Sequence, residues 1–296
     1  RTMSVPEQIL RLFRANDQGL DESTETLLPA RPCGRLAESD LVNGLQNSEF
    51  ELRFQPQLDL HTGEILSVEA LVRWNRPGIG VLMPGEFMPF AEMFELAPEI
   101  DEWVIGAAAE QAREWDRAGL PPFGVAVNVS AQQFHRQGFV DRFEQLLRGC
   151  GMSPRRMEIE ITEEVIMRNC DATIDILGAL HELGVSLSID DFGKGYTSLD
   201  YLRRFTVDEI KIDRSFIKDM RKDSRVTGIV RGIIELVHGL RLQVVAEGIE
   251  TCEQLKRLID LKCDRAQGFL IARPLPAAHL EYFVDEWPHR WRTMTS

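Results

Sequence analysis

From about Glu38 onward, short apolar runs alternate with longer amphipathic stretches. The runs are Phe50–Asp59, Ile65–Trp74, Gly124–Val129, Arg156–Thr162, Val185–Asp190, Glu209–Ile212, Leu242–Ala246 and Arg265–Ile271. Their richness in Val, Ile, Leu and Phe predicts buried β-strands. The stretches between them, Pro98–Ala118, Ala131–Cys150, Glu163–Leu183, Ser198–Phe205, Ser215–His238, Cys252–Leu261 and Ala277–Trp291, carry helical periodicity. Asp171 and Ser198 are candidate helix caps. Gly119, Gly149–Gly151, Gly184 and Gly239 are candidate helix stops. Eight strands, each followed by helical patterning over roughly 250 residues, predict an α/β fold of the TIM-type (β/α)8 barrel class. A doubly wound open sheet usually carries a glycine fingerprint after its first strand, and no such fingerprint stands here.

Residues 1–37 do not share this rhythm. Val5–Asn16 has the spacing of a short amphipathic helix through Ile9, Leu10 and Phe13. Asp17–Arg35 is a polar stretch with the Pro and Gly content of a linker. The expected division is therefore an N-terminal helix and linker over 1–37, suited to relay a signal from a larger upstream sensor protein, and a main domain over 38–296.

Composition narrows the function. The 296 residues are 44% hydrophobic, enough for a large core, and carry a net charge of −13. That acidity excludes a general binder of nucleic-acid polymers, which needs a basic face. A phosphate ligand remains compatible if metal ions stand between it and the protein. No apolar run reaches 18 residues; Val226–Leu242 is interrupted by Arg231, Glu235, His238 and Arg241, so no transmembrane segment is predicted. The polar, charged Arg1–Leu20 does not have the pattern of a signal peptide. Five cysteines without CxxC spacing predict reduced thiols and a cytoplasmic location.

Polar residues close the strands. Glu69 follows Val68, Asn128 follows Val127, Glu160 follows Ile159, and Asp190 and Asp191 follow Ile189. Lys211 and Asp213 flank Ile212, Glu247 follows Ala246 with Glu250 three residues on, and Gln267 follows Ala266. In a barrel these ends meet at one mouth, where barrel enzymes do their chemistry. One acid at a strand end is ordinarily a cap or a solvated loop residue. Several at equivalent points repel one another and require cations. Oxygen ligands without His or Cys favour Mg²⁺ or Mn²⁺, with Ca²⁺ also compatible. Two such ions about 3.5–4 Å apart would clamp the oxygens of a phosphodiester.

The segments Glu69-Ala70-Leu71, FQPQLDL (Phe54–Leu60), NVS (Asn128–Ser130), EITE (Glu160–Glu163), DDFGKGYTSL (Asp190–Leu199), EIKID (Glu209–Asp213), VVAEGIE (Val244–Glu250) and QGFLIARPL (Gln267–Leu275) occur in this order. Together they resemble the EAL-domain cyclic-di-GMP phosphodiesterases, over roughly Glu38 to the C-terminus. The resemblance implies the modified TIM-type barrel of that family. It implies one metal held by Glu69, Asn128, Glu160 and Asp190, and a second by Asp190, Asp191 and Glu247. It assigns Lys211 to orient the attacking water, and places Glu250 as a further catalytic acid beside Glu69. Glu163 would anchor the loop Asp191–Ser198, where Lys194 stands at a place often held by a small polar residue. Gln55, Arg73, Asp213 and Gln267 match substrate contacts. Phe269 reads as core, and Trp74, Trp103 and Trp115 as packing residues.

The implied reaction opens one 3′–5′ bond of cyclic di-GMP and yields linear 5′-pGpG, with Mg²⁺ or Mn²⁺ as cofactor and Ca²⁺ inhibitory. The resemblance also implies a homodimer near Tyr201, Leu202 and Phe205, and an upstream sensor or GGDEF domain as partner. Three other readings compete. A non-hydrolysing cyclic-di-GMP receptor would generally lack a ligand or loop residue, and the full set is present. A glycerophosphodiester-type barrel hydrolase commonly uses histidine, and none lies at a strand end. A diguanylate cyclase needs a GGDEF-type motif, which these residues do not contain.

Overall fold

The computed structural model describes residues 36–195, 199–220 and 223–295, with side chains described through residue 288. The Val5–Asn16 helix, the Asp17–Arg35 linker and the Ser198 cap lie outside the described residues. All eight expected strands form. They are β1 (Phe50–Asp59), β2 (Ile65–Arg76), β4 (Gly124–Asn128), β5 (Met157–Thr162), β6 (Ser186–Phe192), β7 (Glu209–Ile212), β8 (Gln243–Ala246) and β9 (Arg265–Ala266), with a short extra strand β3 (Gly80–Leu82). The order β1-β9-β8-β7-β6-β5-β4-β2-β3, together with the β1–β2 pairing, closes an eight-stranded barrel with β3 appended to β2.

One feature departs from the expected strand–helix alternation. β1 is not followed by a helix and runs antiparallel to both β2 and β9. Only a short turn joins β1 to β2, too short for a crossover to a parallel strand. Asp59 Oδ1 accepts hydrogen bonds from the N–H groups of His61 and Thr62 at 2.8 and 2.7 Å, folding that turn locally. The reversed strand still serves the mouth, because its register sets Gln55 opposite Glu69.

Several helices are shorter than their periodicity predicts. Ala131–Cys150 divides into Ala131–Phe134 and Phe139–Cys150 at Gly138, whose φ is 77°. Glu163–Leu183 divides into Glu163–Arg168 and Cys170–Glu182, with Asn169 rather than Asp171 at the cap position. Ser215–His238 divides into Arg214–Asp219 and Ser224–Gly239. Gly119 and Gly151 stop their helices in the left-handed region as expected, whereas Gly239 stays helical and Leu240 is the cap. Two further helices, Glu38–Gln46 and Pro84–Met93, fall outside the predicted set.

The strands alternate with period two. Val125, Val127, Ile159, Leu187, Ile189, Ile210, Ile212 and Val244 are fully buried members of the hydrophobic core around the barrel. The opposite faces carry polar residues into the barrel. Gln57, Ser67, Glu158, Ser188 and Glu209 are buried there. Ser67 Oγ donates to Gln57 Oε1 at 2.6 Å, and Arg265 Nη1 to Glu209 Oε2 at 3.0 Å. This polar floor lies below the mouth. Trp74 and Trp115 are buried core residues, and Trp103 packs partly buried against that core.

Leu202 and Phe205 also belong to the core, while Leu199 on the same helix is exposed. The four described cysteines, Cys150, Cys170, Cys252 and Cys263, are free thiols. No helix among the described residues is long and apolar enough to cross a membrane.

Candidate active site

Neighbouring registers assemble the mouth: Asn128 pairs with Glu160, Thr162 with Asp190, and Lys211 with Val245, two residues before Glu247. At its centre stands Lys211, fully buried, with Nζ 2.7 Å from Glu247 Oε1 and 2.8 Å from Glu160 Oε1. Glu69 Oε2 and Asp190 Oδ1 lie 3.5 and 3.8 Å from the same ammonium. Four carboxylates, three on strands and one directly after β8, therefore share one internal cation.

The surrounding amides order these acids. Asn128 Nδ2 donates to Glu69 Oε1 at 2.8 Å, and Gln267 Nε2 donates to Glu69 Oε2 at 2.6 Å and to Gln55 Oε1 at 3.0 Å. Gln55 Nε2 donates in turn to the Ala272 carbonyl at 2.9 Å. Arg73 is buried on β2, and its Nη1 donates to the Val72 carbonyl.

Burial would raise the Glu69 pKa, but Lys211 and the Gln267 and Asn128 hydrogen bonds outweigh it and hold the carboxyl below its usual range. Glu160 goes the other way: burial first, then the neighbouring Glu69, pushes it well above normal. Burial likewise raises Asp190, and lifts Glu247 to about 8 against the pull of Lys211. One lysine does not neutralise this set.

The residues fit divalent cations. Oxygens of Asp190, Asp191 and Glu247 lie within 4.8 Å of one another, and these are the acids that the family resemblance groups around one ion. Glu160 Oε2 is buried without a hydrogen-bond partner among the described residues. Such an oxygen is costly to leave unmatched, and a cation at the mouth would match it. Asp190 and Asp191 are set by local backbone: Asp190 Oδ1 accepts from the Asp191 N–H at 2.8 Å, and Asp191 holds φ 57°, a left-handed angle uncommon for a non-glycine residue.

Glu163 is buried beneath the loop after β6, and its Oε2 accepts from the N–H of Gly193 at 3.2 Å and of Gly195 at 2.9 Å. A Cβ on Gly195 would stand 2.9 Å from the Glu163 carboxyl carbon, so this approach needs glycine. Asp213 Oδ1 accepts from the Ser215 N–H at 2.9 Å and caps the helix Arg214–Asp219, while Oδ2 lies 2.7 Å from Lys194 Nζ. Glu250 is exposed on the loop after β8, with its N–H donating to Gln254 Oε1, and stands outside the carboxylate set around Lys211.

Phe269 corrects its reading as core. It is 46% exposed, with the Arg273 guanidinium 4.3 Å from its ring centroid. The expected strand ends at Ala266 because the chain turns through Gly268, where a Cβ would come within 2.2 Å of the Ile249 backbone.

Asp101 was not singled out from the sequence. It lies on the buried stripe of the helix Ala97–Ala118, and its Oδ2 accepts from the Ser130 N–H at 2.9 Å, next to the loop that carries Asn128. Burial pushes its pKa from 3.8 up to about 7, despite the Ser130 hydrogen bonds. Between those values the folded chain holds the extra proton, so this group withdraws stability as pH rises from about 4 to about 7. The shift corresponds to something on the order of 4 kcal/mol. Asp101→Asn is expected to melt closest to the parent near pH 4 and progressively above it as pH rises, by at least about 3 °C at pH 8, by calorimetry. Equal melting at pH 8 would remove this account of Asp101.

Comparisons with known proteins identify the family of this barrel. The EAL domain family profile matches residues 38–274. The chain is 44% identical over 247 residues to the cyclic di-GMP phosphodiesterase NbdA of Pseudomonas aeruginosa, covering 83% of this chain and 32% of that protein. It is 42% identical over 241 residues to the bifunctional diguanylate cyclase/cyclic di-GMP phosphodiesterase MucR of the same organism, covering 81% of this chain and 35% of that protein. The chain thus spans about a third of the length of these relatives. The solved structure of the PaMucR phosphodiesterase in complex with c-di-GMP superposes with a TM-score of 0.79 at 42% identity, covering 82% of this chain and 98% of that one. A closed barrel with an antiparallel first strand, acids gathered at its mouth, and a family match across most of the sequence lead to one assignment: this chain belongs to the EAL domain family.

Proposed function

We propose that this chain hydrolyses cyclic di-GMP to linear 5′-pGpG with two divalent ions, Mg²⁺ or Mn²⁺. The observation that carries the reading is the convergence of Glu69, Glu160, Asp190 and Glu247 on one buried lysine, with Asp191 beside them. In this reading Glu69, Asn128, Glu160 and Asp190 hold one ion, and Asp190, Asp191 and Glu247 hold the other. When bound, the ions supply a water of lowered pKa and offset phosphate charge.

The protein's own groups do the rest. Lys211, unable to leave its carboxylates, presents fixed positive charge where negative charge develops on phosphorus. Gln267 and Asn128 keep the Glu69 carboxylate ionised and oriented. Glu163 holds the loop that carries Asp191. Arg73 provides a planar donor fork for a phosphate, and Gln55, Asp213 and Gln267 line the approach of the nucleotide. The water oxygen bonds to phosphorus as the bond to the 3′ oxygen breaks, and the proton ends on that oxygen. Glu250, outside the Lys211 set, is assigned no step.

The relatives' greater length, with a cyclase named in one of them, supports a sensor or GGDEF-type unit acting on this domain. A homodimer through the helix Leu199–Arg204 belongs to the same reading, supported by its exposed Leu199.

The test is direct. Purified protein is incubated with cyclic di-GMP and Mg²⁺, Mn²⁺ or Ca²⁺, and the products are separated. Linear 5′-pGpG is expected with the first two ions, and at least about tenfold less with Ca²⁺, whose larger, looser coordination misplaces the water. Intact nucleotide with ligand still bound would move the assignment to a non-hydrolysing receptor.

A further inference from the structure

Lys194 places an ammonium between two acids of the mouth. Its Nζ lies 2.7 Å from Asp191 Oδ1 and 2.7 Å from Asp213 Oδ2. Neither contact is incidental. Asp213 is nearly fully buried, and its other oxygen is committed to the Ser215 N–H, which fixes the acceptor. The backbone that carries the lysine is fixed as well, because Glu163 Oε2 accepts from the N–H groups of Gly193 and Gly195 on either side of it. The Lys194 N–H also closes back on the Asp191 carbonyl at 3.3 Å. The side chain itself is half exposed, so it can swing without disturbing the core.

Asp191 is one of the three acids whose oxygens gather within 4.8 Å. A lysine on Asp191 and a divalent ion on the same carboxylate would bring like charges within a few Å, and such charges repel. Asp213 offers the lysine a second carboxylate to keep when Asp191 turns to an ion. Two arrangements follow: the ammonium bridging Asp191 and Asp213, or the ammonium on Asp213 alone with Asp191 on the ion.

We propose that Lys194 is an internal cation that competes with a divalent ion for Asp191, so that the two ions of the site bind with unequal affinity. The inference rests on the two-ion reading given above. It locates the weaker step at the Asp190–Asp191–Glu247 corner, away from Glu69, Asn128 and Glu160.

The experiment is Mn²⁺ titration of the whole chain without nucleotide, counting bound ions by electron paramagnetic resonance and calorimetry. The unaltered protein is expected to take two Mn²⁺ with dissociation constants at least tenfold apart. Lys194→Gln removes the charge but keeps the reach. It should tighten the weaker step at least tenfold and leave the tighter step within twofold. Lys194→Arg keeps the charge and should keep the weaker step weak. Two ions bound with equal affinity, or a weaker step unmoved in Lys194→Gln, would overturn the competition while leaving the two-ion reading in place. No Mn²⁺ bound by any of the three proteins would overturn the two-ion reading itself, and the competition with it.

Discussion

Glu69→Ala is expected to lower cyclic di-GMP hydrolysis by at least about 10³-fold, equivalent to about 4 kcal/mol of lost transition-state stabilisation. Glu69 is the carboxylate held ionised against its burial, by Lys211 and by the amides of Gln267 and Asn128. Truncation removes a proposed metal ligand and leaves the two amides without their acceptor. It also relieves Glu160 and Asp190, whose carboxyls Glu69 pushes upward. These effects on stability oppose one another, so the metal-free protein should melt within a few degrees of its parent while catalysis collapses. Steady-state rates together with Mn²⁺ stoichiometry check this, with one ion expected to be lost or weakened. A variant that keeps a near-normal rate would show that Glu69 is not a ligand.

The second large effect belongs to Lys211. Lys211→Met keeps the length and removes the charge, leaving Glu160 and Glu247 without the cation that lies 2.8 and 2.7 Å away. Breaking a buried ion pair on one side costs about 3–5 kcal/mol. Part of that is recovered because the stranded carboxyls take up protons. The pH dependence follows from the acids. The Lys211 pKa is raised well above 10.5, so its own contribution is complete throughout the neutral range. Glu247 rises from 4.5 to about 8, so it withdraws stability as pH climbs between those values. Without the lysine that loss is steeper: the variant should melt close to its parent near pH 5 and well below it at pH 8. Turnover should fall by about 10²–10³-fold, with nucleotide affinity changed less than tenfold, since the charge acts mainly where negative charge develops. Equal melting at pH 8, or turnover within twofold of the parent, would refute this role.

Much of the site was legible in the chain because β-strands have period two. In MEIEIT and EIKID the isoleucines alternate with Glu158, Glu160, Glu209 and Lys211, so the two sets must face opposite ways. Asp101 had a readable signal too, since it falls on the stripe of Ala97, Val104, Ala108 and Ala112 that the helix buries. The antiparallel β1 was harder. Its short turn suits a hairpin, but repeated strand–helix units suggest parallel strands throughout, and only the pairing partners settle the direction. The core position of Leu202 and Phe205 had no separate signal, because a buried helix face and a docking face share one periodicity.

Which side chains enter the barrel follows from the order of residues alone, since alternation along each strand is local geometry and needs no partner. Distances across the mouth are another matter. Glu69 and Gln267 are separated by 198 positions yet meet at 2.6 Å, and Lys194 reaches Asp213 from a different strand's loop. Those meetings follow from barrel closure and from the register between neighbouring strands, which set the spacing inside the ring. Only the closed ring decided that one buried ammonium would be surrounded by four acids, because the attraction and repulsion among them act through space rather than along the chain.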